Sequence, residues 1–232
     1  MKLSRREFVG GSAACASGLC VPRLVGSGFT DVPTGANCVL FDLGANCALP
    51  ESLQGYREAL NAEVVVAATG ARRWQHPRPL VIVPGAGIVD AAAASGLLQL
   101  LDAGTAVLLE SGAGFLRPAE VAEQARMLRS FFDLHVLEPV ELWSEQRCAP
   151  YVQYHWPREF MVRDFSRAMP VVAPSAVTIG AETIGRLGAL PVAIKKPVGN
   201  GLLIFLGSPL GPALRAGDRE ARAWLQALAS II

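Results

Sequence analysis

Three runs, LVIVPGAG (80–87), TAVLLESGAG (105–114) and GLLIFLGSPLG (201–211), each place a block of apolar residues directly before a glycine-containing turn. A strand that is apolar at every position needs cover on both faces, which helices on the two sides of a parallel sheet provide. Helix-spaced segments alternate with such runs along the chain, the pattern of an α/β sandwich. Strands are expected at 37–43, 63–69, 80–87, 105–110 and 134–140. Helices are expected at 50–62, entered through Pro50, at 89–104, closed by Gly104, at 117–133 and at 218–232. Between about residues 140 and 170 the rhythm breaks and aromatics gather, which reads as a loop-rich insertion. A Gly-Asn-Gly turn between VAIKKPV and GLLIFLG marks a hairpin.

The first 28 residues, MKLSRREFVGGSAACASGLCVPRLVGSG, differ in kind. A basic start precedes a mildly apolar, Gly/Ala-rich stretch, which is an address and not part of a fold. Ser4, Arg5, Arg6 and Phe8 form the S-R-R-x-F pattern and resemble a twin-arginine export signal; Arg5-Arg6 also fits the charged start of an ordinary secretory signal. Either address sends the chain to the periplasm or outside the cell, and an uncleaved signal would serve as an anchor. The domain expected to follow is a single one, residues 29–232. No later run reaches the about eighteen apolar residues of a membrane span.

The sequence holds 21 basic and 20 acidic residues, so no general field draws it to nucleic acid. Small molecules or cell-envelope proteins are the expected partners. No cysteine or histidine spacing matches a metal site and PGAGIVD is no nucleotide-binding fingerprint, so neither metal nor cofactor is expected. In an oxidising compartment Cys38 and Cys47 either close a small loop or remain buried thiols. Lys195-Lys196 reads as a solvated face or as protection of an edge strand. The mixture WPREFMVRDFSR suits a partner contact or a lid.

The runs LVIVPGAG, TAVLLESGAGF and GNGLLIFLGSPLG, the first two followed by helices, together resemble the class I glutamine amidotransferase-like superfamily over about residues 36–230. The resemblance implies a flavodoxin-like, mostly parallel three-layer sandwich. In that family a cysteine nucleophile occupies a sharp strand-to-helix turn, G-x-C-x-G. Here the best register is Glu110-Ser111-Gly112-Ala113-Gly114, which puts glycine at the nucleophile position. A register shifted by one puts Ser111 there, with Leu109 and Ala113 in the flanking places. VQYHWPRE (152–159) is superficially like the family's V-Q-F-H-P-E segment, with His155 as base and Glu159 behind it. Trp156 and Arg158 interrupt that match, and the family's late position is occupied by Ser208-Pro209.

The turn therefore has two readings. In one, Ser111 attacks an ester or amide with His155 as base, while backbone amides near Gly85 and Gly112 stabilise the oxyanion. In the other the chain only bends there, and the resemblance implies an exported, non-catalytic domain that binds a small ligand or a cell-envelope partner. Under both, ligands of an open sheet bind beyond the carboxyl ends of its strands. The expected crevice is lined by Asp42, Gly85, Gly87, Glu110, Gly112 and Gly114, its two carboxylates disfavouring a strongly anionic ligand.

Overall fold

The computed structural model describes residues 38–60, 63–66, 80–112, 116–141, 151–163, 167–171 and 180–232. The signal segment, Cys15, Cys20, Gly114 and Cys148 lie outside the described residues. In chain order the elements begin with β1 (Cys38–Asp42), α1 (Pro50–Leu60), β2 (Glu63–Val66) and β3 (Leu80–Ala86). Next come α2 (Ala91–Asp102), β4 (Ala106–Ser111), α3 (Pro118–Phe132) and β5 (Val140–Glu141). The second half holds β6 (Tyr151–Tyr154), β7 (Phe160–Arg163), β8 (Arg167–Ala168), β9 (Glu182–Leu187), β10 (Leu190–Val198) and β11 (Gly201–Leu206). Two helices, α4 (Gly211–Arg215) and α5 (Arg219–Ile231), close the chain.

The main sheet has nine strands in the order β2-β1-β3-β4-β11-β10-β9-β6-β7. From β2 to β11 all neighbours are parallel, and their order is the 2-1-3-4-5 of a flavodoxin-like sheet. From β11 to β7 all neighbours are antiparallel. The fold is thus a three-layer α/β sandwich, but its sheet is mixed where a mostly parallel one is expected from the sequence.

Strand periodicity assigns each side chain to a layer. Leu80, Ile82, Ala106, Leu108, Ile204 and Leu206 pack with Tyr56, Leu60, Leu214 and Trp224 of α1, α4 and α5. Their alternates, Val81, Val83, Val107, Leu109, Leu203 and Phe205, pack with Leu97, Leu101, Leu128 and Phe132 of α2 and α3. Two faces buried at once account for the apolar residues at consecutive positions.

Two sequence expectations need correction. Residues 134–140 add no strand to the main sheet. Val136 makes a single bridge to Val171, and Val140–Glu141 pairs with β8 in a separate two-stranded sheet. The place beside β4 goes to β11, whose GLLIFL offers apolar residues to both layers, whereas LHVLEPV carries Glu138 and Pro139. The segment expected to be loop-rich instead contains the β6–β7 hairpin, with Val152, Tyr154, Phe160 and Val162 buried against the α5 side. Alternation over only four residues is too short to stand out within an aromatic-rich stretch. The hairpin expected at Gly-Asn-Gly is present, with Val198 opposite Gly201.

Lys196 also departs from expectation. Its strand, β10, lies between β11 and β9 and is no edge. The ammonium is buried at the carboxyl end of α3, 3.2 Å from the carbonyls of Phe132 and Asp133 and 2.9 Å from Asp133 Oδ2. A cation there satisfies terminal carbonyls and opposes the helix dipole. Lys195 instead pairs with Glu182 at 3.0 Å and lies over the Trp156 ring. Lys196→Met keeps the apolar stem and removes the charge-assisted bonds; urea denaturation should show a loss of about 2 kcal/mol. An unchanged midpoint would rule out this docking role.

Candidate functional site

The strand-to-helix corner after β4 begins with Glu110 and Ser111, adjacent residues whose side chains enter opposite layers of the sandwich. Glu110 follows Leu108 towards α1 and α4 and is fully buried. Its Oε2 accepts from Tyr56 Oη at 2.8 Å, from the Leu210 N–H at 2.8 Å and from the Gly211 N–H at 3.0 Å. Its Oε1 accepts from the Gly85 N–H at 3.1 Å. One carboxylate thereby ties the end of β4 to α1, to the end of β3 and to the entry of α4. Ser52, one turn before Tyr56, brings a buried hydroxyl to the same carboxylate without reaching hydrogen-bond geometry. Burial raises the Glu110 pKa above the ordinary carboxylate value, and these donors offset only part of the rise. Burial, together with the neighbouring negative charge, holds the Tyr56 hydroxyl protonated well above its usual range.

Ser111 follows Leu109 into the other layer and is 1% exposed. Its hydroxyl lies 3.3 Å from Gln124 Oε1 and 3.9 Å from the Met169 sulfur. Gln124 in turn donates to the Ala86 carbonyl at 2.8 Å. His155 is exposed at the end of β6, four strand positions from β4, a separation of about 19 Å at ordinary strand spacing. The structure does not bring the Ser111 hydroxyl and the His155 imidazole together. Nor are the two amides expected to form an oxyanion hole left for a substrate. The Gly85 N–H is held by Glu110, and the Gly112 N–H donates to the Ala86 carbonyl at 2.6 Å.

The expected crevice is also occupied, by the chain itself. Between β1 and α1, residues 44–49 cross the carboxyl ends of β3 and β4. Cys47 forms an antiparallel bridge with Ala86: the Ala48 N–H donates to the Gly85 carbonyl and the Gly87 N–H to the Asn46 carbonyl, both at 2.9 Å. The Cys47 thiol lies 3.7 Å from the Pro84 carbonyl. Such proximity needs glycine. A Cβ on Gly85, whose φ is +53°, would lie 2.6 Å from the Leu49 carbonyl oxygen, and one on Gly87 would lie 2.7 Å from that of Asn46. A Cβ on Gly112 would meet the Gly85 carbonyl at 2.6 Å. Gly85, Gly87, Glu110 and Gly112 are therefore buried beneath this crossing instead of lining an open crevice. Of the expected crevice residues Asp42 remains half-exposed, and it accepts from the Gly44 N–H at 2.8 Å.

The two described cysteines are free thiols. Cys38 sits opposite Leu80 at the start of β3 and Cys47 opposite Ala86 at its end, six residues or about 20 Å apart, far outside disulfide reach. Burial pushes the Cys38 thiol up to about 11 and raises that of Cys47 as well. Among the described residues no group of three His, Cys, Asp or Glu side chains could hold a metal, and no helix is long and apolar enough to cross a membrane.

Sequence reasoning placed Glu110 in a crevice and missed its partners Tyr56, Leu210 and Gly211, as well as Gln124. One signal was present. A carboxylate next to four apolar residues of a strand that needs cover on both faces points to burial, and a buried carboxylate needs donors.

With this geometry in view, solved structures give a consistent comparison. An exo-β-1,4-mannosidase from Opitutaceae bacterium strain TAV5 superposes with a TM-score of 0.57 at 12% identity, covering 82% of this chain and 36% of that one. A β-galactosidase from Bacillus circulans sp. alkalophilus gives 0.55 at 14% identity, over 78% of this chain and 30% of its own. A cytoplasmic protein of Salmonella typhimurium LT2 gives 0.52 at 11% identity, over 84% and 99%. What the chain shares with them is a fold. It spans only about a third of either glycosidase. No family model and no curated protein matches the sequence.

The Glu110 network generates two outcomes. Glu110→Ala leaves the buried N–H groups of Gly85, Leu210 and Gly211 without acceptors and should cost on the order of 3 kcal/mol or more in urea denaturation. Glu110→Gln, which retains one acceptor oxygen, should cost less. Because the folded-state pKa of Glu110 is raised, the folded protein binds its proton more tightly than the unfolded chain does. Wild type should lose stability relative to Glu110→Gln as pH climbs from about 4.3 through the raised value. A gap that widens with pH would mean that the donors, and not burial, dominate.

Proposed function

We propose that the chain is an exported, non-catalytic amidotransferase-like domain that acts by binding a small ligand or a cell-envelope partner. The observation carrying this reading is the use made of the corner after β4. In a hydrolase of this kind a reactive side chain and free backbone donors face one substrate atom. Here the donor at Gly85 serves a buried carboxylate, the donor at Gly112 serves a neighbouring carbonyl, and Ser111 is enclosed with Gln124 and Met169. The strand order and the three sequence runs support the amidotransferase-like assignment; the S-R-R-x-F pattern supports export.

Purified protein, Ser111→Ala and His155→Ala should give the same background rate against a panel of ester and amide probes. Turnover by wild type that Ser111→Ala abolishes would replace this reading with a serine-dependent hydrolase. For export, replacing Arg5 and Arg6 together by lysine should trap a folded reporter fused after residue 28 in the cytoplasm. Continued export would assign the segment to the ordinary secretory route.

A further inference from the structure

We infer that residues 44–49 form a displaceable strap, an internal occupant of the ligand position at the carboxyl edge of the sheet. The inference rests on the binding function proposed above. In the order β2-β1-β3-β4-β11 the connections from β1 and β3 leave the sheet to opposite layers, so the crevice of a flavodoxin-like sheet opens between those two strands. The strap lies across that opening. It takes up the Gly85 carbonyl and the Gly87 N–H through the bridge between Cys47 and Ala86, and Cys47 rests against the Pro84 carbonyl.

The attachment is narrow. Two backbone hydrogen bonds join the strap to β3 and its exit, whereas β3 is held by β4 from Leu80 to Val83 and again at Ala86, and by β1 over Leu80–Ile82. Its upstream end is Gly44, exposed, at φ +58° and with nothing within 4 Å of a notional Cβ. Its downstream end is buried Leu49, directly before α1. Rotation at Gly44 lifts residues 45–48 without disturbing Glu110, whose partners lie in α1, at Gly85 and at the entry of α4. Lifting leaves one N–H and one carbonyl unpaired at the carboxyl end of β3. A molecule replacing the strap has to offer a carbonyl and an N–H from two successive peptide units, as an extended peptide does.

Native-state hydrogen exchange on the full chain tests this without a ligand. The Ala48 and Gly87 amides should exchange through an opening smaller than global unfolding, at least about tenfold faster than Ile82 and Leu108 and with little dependence on low urea. Gly87→Ala, whose Cβ would press on the Asn46 carbonyl and on Ala48, should accelerate the two strap amides further and leave Ile82 and Leu108 unchanged. Exchange of strap and core amides together, with one urea dependence in wild type, would overturn the strap. Equal acceleration of core and strap in Gly87→Ala would overturn it too. If that variant does not fold, the wild-type comparison decides alone. The ester, amide and export assays do not report on this opening, so the strap and the proposed function can fail separately.

Discussion

A carboxylate stripped of water at the end of a central strand needs donors from the protein, and Glu110 obtains them from three separate parts of the chain. Tyr56 comes from α1, the Gly85 amide from the end of β3, and the Leu210 and Gly211 amides from the entry of α4. Burying the group is unfavourable in itself, as its raised pKa records. Its consequence is geometric. Elements packed by apolar contact alone could slide by fractions of an ångström, whereas four directional bonds to one side chain fix their positions where β3, β4 and β11 all end.

That anchor explains the rest of the corner. Side chains alternate along a strand, so placing Glu110 among α1 and α4 sends Ser111 to α3, where Gln124 links it to the Ala86 carbonyl. A shift of one residue would expose the carboxylate to the α2–α3 layer and turn Ser111 towards Tyr56. With Glu110 fixed, Gly85 spends its N–H on the scaffold, where a carboxyl oxygen of the protein itself accepts it.

Much of the parallel half was legible. Apolar blocks ending in glycine located β3, β4 and β11, and proline marked the starts of α1 and α3. What resisted was any feature decided by competition between distant segments. Residues 134–140 look like a strand locally, but β11 presents a better pair of faces to β4 and takes the place. VQYH looks like a catalytic segment, but its strand joins the far antiparallel end of the sheet, where Val152 and Tyr154 are needed for packing. Lys196 looks solvent-facing until the end of α3 arrives beside it.

The glycines at the sheet edge show the same ambiguity in its sharpest form. Gly85, Gly87 and Gly112 permit close approach, and a sequence does not say whether the approaching atoms belong to a ligand or to the chain. Here they belong to Asn46, Ala48, Leu49 and, for Gly112, to Gly85 itself. The backbone groups that meet them are nevertheless of the kind a ligand would use: an N–H and a carbonyl at the end of a parallel strand, at the fold's own binding position. An edge shaped to accept a backbone has already solved the steric problem of binding one, since no side chain stands in the way. The remaining requirement is energetic: an incoming peptide has to outcompete a tethered segment whose effective concentration is high because it is part of the same chain. If the strap is displaced as proposed, that competition would lower apparent affinity and confer selectivity, because a ligand offering only one of the two hydrogen bonds would leave a buried group unpaired and lose to the strap.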